Sequence, residues 1–195
     1  MRIGFILAFA AGTALAQNSD LGMLIGISGP SSQVVAGSQT RITGSVGASG
    51  QINYARQLKE YRAGRLYLEL PLLIGARSIG SVGAVITGFQ QTGVYFTPGV
   101  RFNVTLDPRI SFYAAGGAGL ASFRDSRATV GPGFVSASVG WESSLAAAFG
   151  GGLDFRLTRL ISLRAEARDF VSRRGIGLTD GRHHAVYGFG MGFHW

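Results

Sequence analysis

The sequence predicts an all-β protein, an eight-stranded antiparallel up-and-down transmembrane β-barrel over residues 17–195, preceded by a cleavable signal peptide over 1–16. Three observations predict it. The chain divides into segments whose side chains alternate in polarity, the connections between them alternate long and short, and the last segment ends on an aromatic residue.

The last segment is the clearest. Tyr187, Phe189, Met191, Phe193 and Trp195 fall on one face, and Val186, Gly188, Gly190, Gly192 and His194 on the other. Successive strand side chains point to opposite sides of a sheet, so one face is large and apolar and the other mostly small. A soluble sandwich usually sets an apolar face against a charged one. Large residues outside and glycines inside suit a narrow barrel whose exterior meets lipid.

The earlier segments follow the same rule. Leu21–Ser28 sets Leu21, Met23, Ile25 and Ile27 on one face, and Ser45–Arg56 sets Val46, Ala48, Ile52 and Tyr54 together. Arg65–Gly75 opposes Leu66, Leu68, Leu70, Leu72 and Ile74 to Arg65, Tyr67, Glu69 and Pro71. Val94–Val104 opposes Val94, Phe96, Pro98, Val100, Phe102 and Val104 to Tyr95, Thr97, Arg101 and Asn103. In Ile110–Phe123 the Ala/Gly centre leaves two registers open, with either Ile110–Phe112 or Tyr113–Phe123 marking the outer face. Ser144–Arg156 opposes Leu145, Phe149, Leu153 and Phe155 to Ala148, Gly150, Gly152, Asp154 and Arg156. Ile161–Val171 opposes Ile161, Leu163, Ala165 and Ala167 to Ser162, Arg164, Glu166 and Arg168. Bilayer-spanning tilted strands need ~9–11 residues, a length that Arg65–Gly75, Val94–Val104, Ser144–Arg156, Ile161–Val171 and the last segment meet.

Long Gly/Ser/Thr-rich connections (29–44, 77–93, 124–143 and 173–183) alternate with short ones (57–64, 106–109 and 157–160). This places every long connection at one end of the cylinder and every turn at the other, as outer-membrane barrels do. Closure removes the unpaired edges that lipid cannot satisfy.

Composition narrows the function classes. There is no Cys among the 195 residues, which excludes thiol nucleophiles, thiolate metal sites and disulfides. The net charge of +8 comes from 17 Arg and one Lys against 10 acids. The arginines are dispersed and no helix-turn-helix or zinc-finger pattern is present, so nucleic acid is not an expected partner. Arg2, the apolar run Ile3–Ala11 and the small pair Ala14 and Ala16 read as a secretory signal cleaved before Gln17. No segment offers the ~20 apolar residues of a transmembrane helix, so any crossing must use strands.

Opposite the apolar faces lie Glu69, Arg101, Asp154, Arg156, Arg164, Glu166 and Arg168. In an eight-stranded barrel they would fill the lumen as a paired network. The alternative is a narrow, weakly anion-selective pore driven by an excess of arginine. Aromatic girdles are expected from Phe102, Phe155, Phe193 and Trp195 at the turn end and Phe89, Phe96, Trp141 and Phe170 at the other. His183 and His184 lie at the outer end of the last segment and His194 far from the long connections. No pattern joins them to a nucleophile or a third metal ligand, so no catalytic residue, metal or cofactor is expected.

The AxA signal, the eight alternating segments, the block GGGLDFRLTRLISLRAEARDF (150–170) and the terminal FHW together resemble the small outer-membrane β-barrel superfamily of OmpA-type transmembrane domains and OmpX-like proteins. The resemblance implies a monomeric outer-membrane protein in contact with lipid, with structural or surface-interaction roles through its long extracellular loops and an unidentified ligand there. It also implies that Tyr187, Phe189, Met191, Phe193 and Trp195 are read by the barrel-assembly machinery. The terminal Trp stands where Phe is more usual.

Overall fold

The computed structural model describes residues 18–29, 32–34, 41–43, 46–81, 86–131, 134–174 and 180–195. Eight strands form the barrel: β1 (Ser19–Ser28), β2 (Gly47–Tyr61), β3 (Gly64–Ser81), β4 in two pieces, β4a (Ile86–Phe96) and β4b (Gly99–Asp107), then β5 (Ile110–Gly131), β6 (Phe134–Arg156), β7 (Ile161–Arg174) and β8 (Asp180–His194). Each pairs antiparallel with its chain neighbours, and β1 pairs with β8 to close the ring. Ser32–Val34 and Arg41–Thr43 form a small separate hairpin between β1 and β2. The proposed signal, with Ala14 and Ala16, lies outside the described residues.

The two pieces of β4 keep one register. Leu72 faces Phe96 and Glu69 faces Gly99 on β3, with Thr97–Pro98 between. Pro98 and the nearby Pro71 lack N–H donors, so the ladder skips there without slipping. The Pro98 carbonyl still accepts from Ala118 N at 3.1 Å.

Stepping through paired residues from Ser19 to Arg56, Leu68, Val100, Gly116, Phe149, Asp169 and Ala185 returns to β1 at Gly29, ten residues beyond the start. That stagger tilts the strands by roughly 40°. On β8 the outward residues from Ala185 to Trp195 are apolar throughout. Ten residue steps at ~3.4 Å with that tilt cover roughly 25 Å, the height of a lipid-facing band.

Parity sorts the side chains as the alternation predicts. Ile25 is 77% exposed, and Leu68, Leu72, Phe149, Tyr187 and Phe189 also face outward, while Arg101 and Arg164 are fully buried. A lipocalin-like soluble barrel would invert this arrangement. The open register of β5 resolves with Phe112 and Leu120 outside and Tyr113, Ala121 and Phe123 inside.

Two expectations need correction. The stretches 77–93 and 124–143 are largely continued ladder rather than loop: β3 pairs with β4a out to Ser81–Thr87, and β5 pairs with β6 out to Gly131–Phe134. Period-two alternation of Ser, Thr, Ala and Val without a lipid-facing stripe reads as loop in the sequence, yet its backbone pairs as well as any strand. Phe170, assigned to the outer girdle, is fully buried in the lumen, because it shares the parity of Arg164, Glu166 and Arg168. Of the other girdle residues, Phe96, Trp141, Phe155 and Trp195 are exposed and Phe102 and Phe193 half-buried, while the Phe89 side chain lies outside the described set. Trp141 packs under the Arg124 guanidinium at 5.8 Å.

The lipid-facing assignment predicts that Ile25→Arg, at mid-height opposite Phe189, destabilises the barrel by about 2–4 kcal/mol in urea unfolding from vesicles. Ile25→Leu should leave the midpoint unchanged.

Candidate functional site

The lumen is filled in two layers. The layer nearer the turns is built on Arg164 of β7. Its Nε and Nη2 donate to Asp154 Oδ1 and Oδ2 of β6 at 2.7 and 2.9 Å. Its Nη1 and Nη2 donate to Asp20 Oδ1 and Oδ2 of β1 at 3.0 and 2.8 Å. One planar guanidinium thus holds two carboxylates bidentately, the geometry for which Arg is suited. Space for it comes from glycine: a Cβ at Gly22 would stand 2.6 Å from Arg164 Nη1.

Arg101 of β4b reaches the same Asp20 at 3.2 Å and Glu69 of β3 at 3.8 Å. Its Nε and Nη2 make no hydrogen bond. The rings of Tyr67 and Tyr113 lie 4.9 and 5.2 Å from the guanidinium carbon instead, so the cation is flanked by π-faces.

Higher in the barrel Glu166 gathers donors from two other strands, β2 and β5. Gln51 Nε2 donates to Oε1 at 2.6 Å, Asn53 Nδ2 to Oε2 at 3.1 Å, and the Tyr113 hydroxyl to Oε2 at 2.6 Å. Arg168 Nε stands 2.8 Å from Oε1, and its Nη2 donates to Glu69 at 3.1 Å. Gly152 leaves the room that Tyr113 occupies, since a Cβ there would overlap the phenol.

Above this polar layer lies an apolar one: Leu73, Tyr95, Ala121, Phe123, Ala146, Ala148, Phe170 and Val186. Tyr95 meets Phe123 edge-on at 5.5 Å and Phe170 at 4.9 Å. His184 is buried beside them, 5.9 Å from the Tyr95 ring.

Six of the seven residues expected in the network belong to it: Glu69, Arg101, Asp154, Arg164, Glu166 and Arg168. Arg156 does not. It lies half-buried next to the turn and takes part in none of these ion pairs. Sequence reasoning missed Asp20, Gln51, Asn53, Tyr113 and His194. Asp20 shares the inward parity of Gly22 and Leu24, but the first strand starts two residues earlier than its apolar stripe. The excess of arginine is also corrected. Among the described fully buried lumen groups, the carboxylates of Asp20, Glu69, Asp154 and Glu166 outnumber the guanidiniums of Arg101, Arg164 and Arg168.

Among the described residues no three His, Asp or Glu cluster as metal ligands. No protein-family model matches the chain, and no curated protein matches it. Solved structures do. The outer membrane protease OmpT from Escherichia coli superposes with a TM-score of 0.61 at 9% identity, over 91% of this chain and 97% of that one. The outer membrane protein OprG from Pseudomonas aeruginosa gives 0.51 at 11% identity, over 92% and 97%. Neisserial surface protein A gives 0.50 at 11% identity, over 91% and 97%.

The fold is that of an outer-membrane β-barrel. Its apolar band and its enclosed ion pairs agree with that architecture. Since these neighbours include a protease beside proteins not named as enzymes, the fold does not decide whether the chain is catalytic.

Replacing Arg164 by Leu leaves Asp154 buried without its cation and Asp20 with Arg101 in place of two guanidiniums, and is expected to cost about 3–5 kcal/mol. The same substitution in a chain that also carries Asp20→Asn and Asp154→Asn should recover a large part of that loss. Urea midpoints of the unmodified protein and the two variants in detergent measure both effects.

Proposed function

We propose that this chain is a non-enzymatic, monomeric protein of the outer membrane whose lumen is plugged and whose role is structural or surface-directed, exercised through the hairpins at the end opposite the turns. Residues 1–16 would direct export, with cleavage after Ala16. The observation that carries the reading is the double filling of the lumen, an ion-paired layer below and an aromatic and aliphatic layer above. A conducting path needs a continuous polar lining. Phe170, Tyr95 and Phe123 interrupt one. The buried charge balance also speaks against anion selectivity.

The outward stripe of Tyr187, Phe189, Met191, Phe193 and Trp195 supports a second role for β8, as the segment read by the barrel-assembly machinery. All but Phe193 are well exposed, and the stripe runs to the terminal residue. Lipid then covers the same side chains after insertion. The unidentified surface ligand would meet the β3–β4a and β5–β6 hairpins, which extend beyond the apolar band.

Planar bilayers containing the purified protein should stay silent in concentrated KCl, and steady anion-selective openings would overturn the plugged reading. Trp195→Ala is expected to slow insertion by the purified assembly machinery several-fold while leaving the urea midpoint of the folded barrel within about 1 kcal/mol. Time courses of heat-modifiable gel mobility measure the first effect.

A further inference from the structure

The turn end of the barrel carries its charges differently inside and outside. Inside, every buried carboxylate meets a guanidinium, and His194 of β8 bridges Ser162 of β7 and Asp20 of β1 across the closing seam, each at 2.9 Å. Outside, the exposed cations Arg56, Lys59, Arg62, Arg109 and Arg159 stand against the exposed carboxylates of Glu60 and Asp107. Both carboxylates are engaged beside their own turns. Glu60 pairs with Arg65 at 3.0 Å, and Asp107 accepts from the Arg109 backbone N–H at 2.9 Å. Among the described residues none of those five cations forms an ion pair.

Three of the cations belong to the β2–β3 hairpin, and register decides which way they face. Arg56 pairs with Leu68 and Lys59 with Leu66, both on the lipid-facing side of β3. A bulge at Leu58 is what turns Lys59 outward, since strict alternation from Arg56 would have pointed it into the lumen. Arg56 and Lys59 therefore leave the wall at the lower edge of the apolar band, and Arg62 follows in the turn. Aromatic rings stand among them. Lys59 Nζ lies 5.1 Å from the Tyr61 ring, and Tyr61 lies 6.3 Å from Phe102, which pairs with Leu66. Unpaired cations among aromatic rings, just below a lipid-facing stripe, suit the headgroup level of a bilayer, where their stems lie on apolar surface and their charged ends reach phosphate. A soluble polyanion would be met by cations on the rim of the mouth, whereas Arg56 and Lys59 stand on the outer wall. We propose that the outward face of this hairpin binds the headgroups of anionic glycerophospholipids, with Arg56, Lys59 and Arg62 donating to the phosphate oxygens. The proposal deepens the membrane reading given above and rests on it. Arg109 and Arg159, on the other two turns, carry the same positive field around the rim.

The test uses the W141F protein, in which Trp195 is the one tryptophan left. Trp195 reports on the turn end, because its backbone bonds to Ser19, which pairs with Arg56. The protein is inserted into phosphatidylcholine vesicles that hold equal fractions of either brominated phosphatidylglycerol or brominated phosphatidylcholine, and quenching gives the relative association constant of the two lipids. Phosphatidylglycerol should be preferred about fivefold, and adding R56Q/K59Q/R62Q should bring the ratio to about one. R56K/R62K, which keeps the charges, should retain the preference. A ratio of about one in the starting protein overturns the proposal and points to a soluble polyanion instead. A preference that survives the triple replacement also overturns it. Should the triple variant fail to insert, raising the salt from about 0.05 M to about 0.5 M serves in its place: a preference that falls below about twofold supports the proposal, and an unchanged one overturns it. Quenching by neither lipid would overturn the membrane reading itself, and this proposal with it.

Discussion

Arg164 is the point on which the interior depends. It joins Asp154 of β6 to Asp20 of β1, strands separated in the ring by β7 and β8, and so couples the first strand of the chain to the last three. Burying such charges is expensive, and an apolar group of the same volume would stabilise the barrel about as well. What the ion pairs add is selection of one register. A slip of β1 by one residue would turn Asp20 out to lipid and bring Leu21 into the lumen. The small residues facing the guanidinium, Gly22 and Gly192, complete the fit, since side chains at either position would collide with Arg164 or Ser162.

The division of the lumen into two layers separates two tasks. The ion-paired layer binds strands to one another across the cylinder through long polar side chains, every one of which needs a partner at a defined height. The aromatic layer fills space without such demands, and Tyr95, Phe123 and Phe170 interlock through tilted and edge-on contacts. Together they stack an ion-paired layer and an apolar layer in the described part of the lumen. Beyond Leu120 and Leu145 the outward faces of β5 and β6 are interrupted by Ser122 and Ser143, whose hydroxyls bond at 3.2 Å, while Trp141 and Val139 continue the apolar face of β6.

Strand number, inside-outside parity and the position of all three turns were legible in the sequence, because parity in a closed sheet bounded by lipid leaves each side chain one of two environments. Glu69, Arg101, Asp154, Arg164, Glu166 and Arg168 were readable as lumen residues for the same reason. Phe170 obeyed that parity too, although its aromatic character suggested the interface. The ambiguous Ala/Gly centre of β5 hid Tyr113, whose phenol proves to be a main donor to Glu166.

By itself the sequence determined the architecture and which face of every strand except β5 meets lipid, since both follow from local alternation and connection length. Only the tertiary structure decided which charges meet. The stagger of ten residues around the ring sets the relative heights of side chains from distant strands. That quantity belongs to the closed barrel and to no single strand, and it is what brings Asp20 to Arg164, excludes Arg156 and places His194 across the seam.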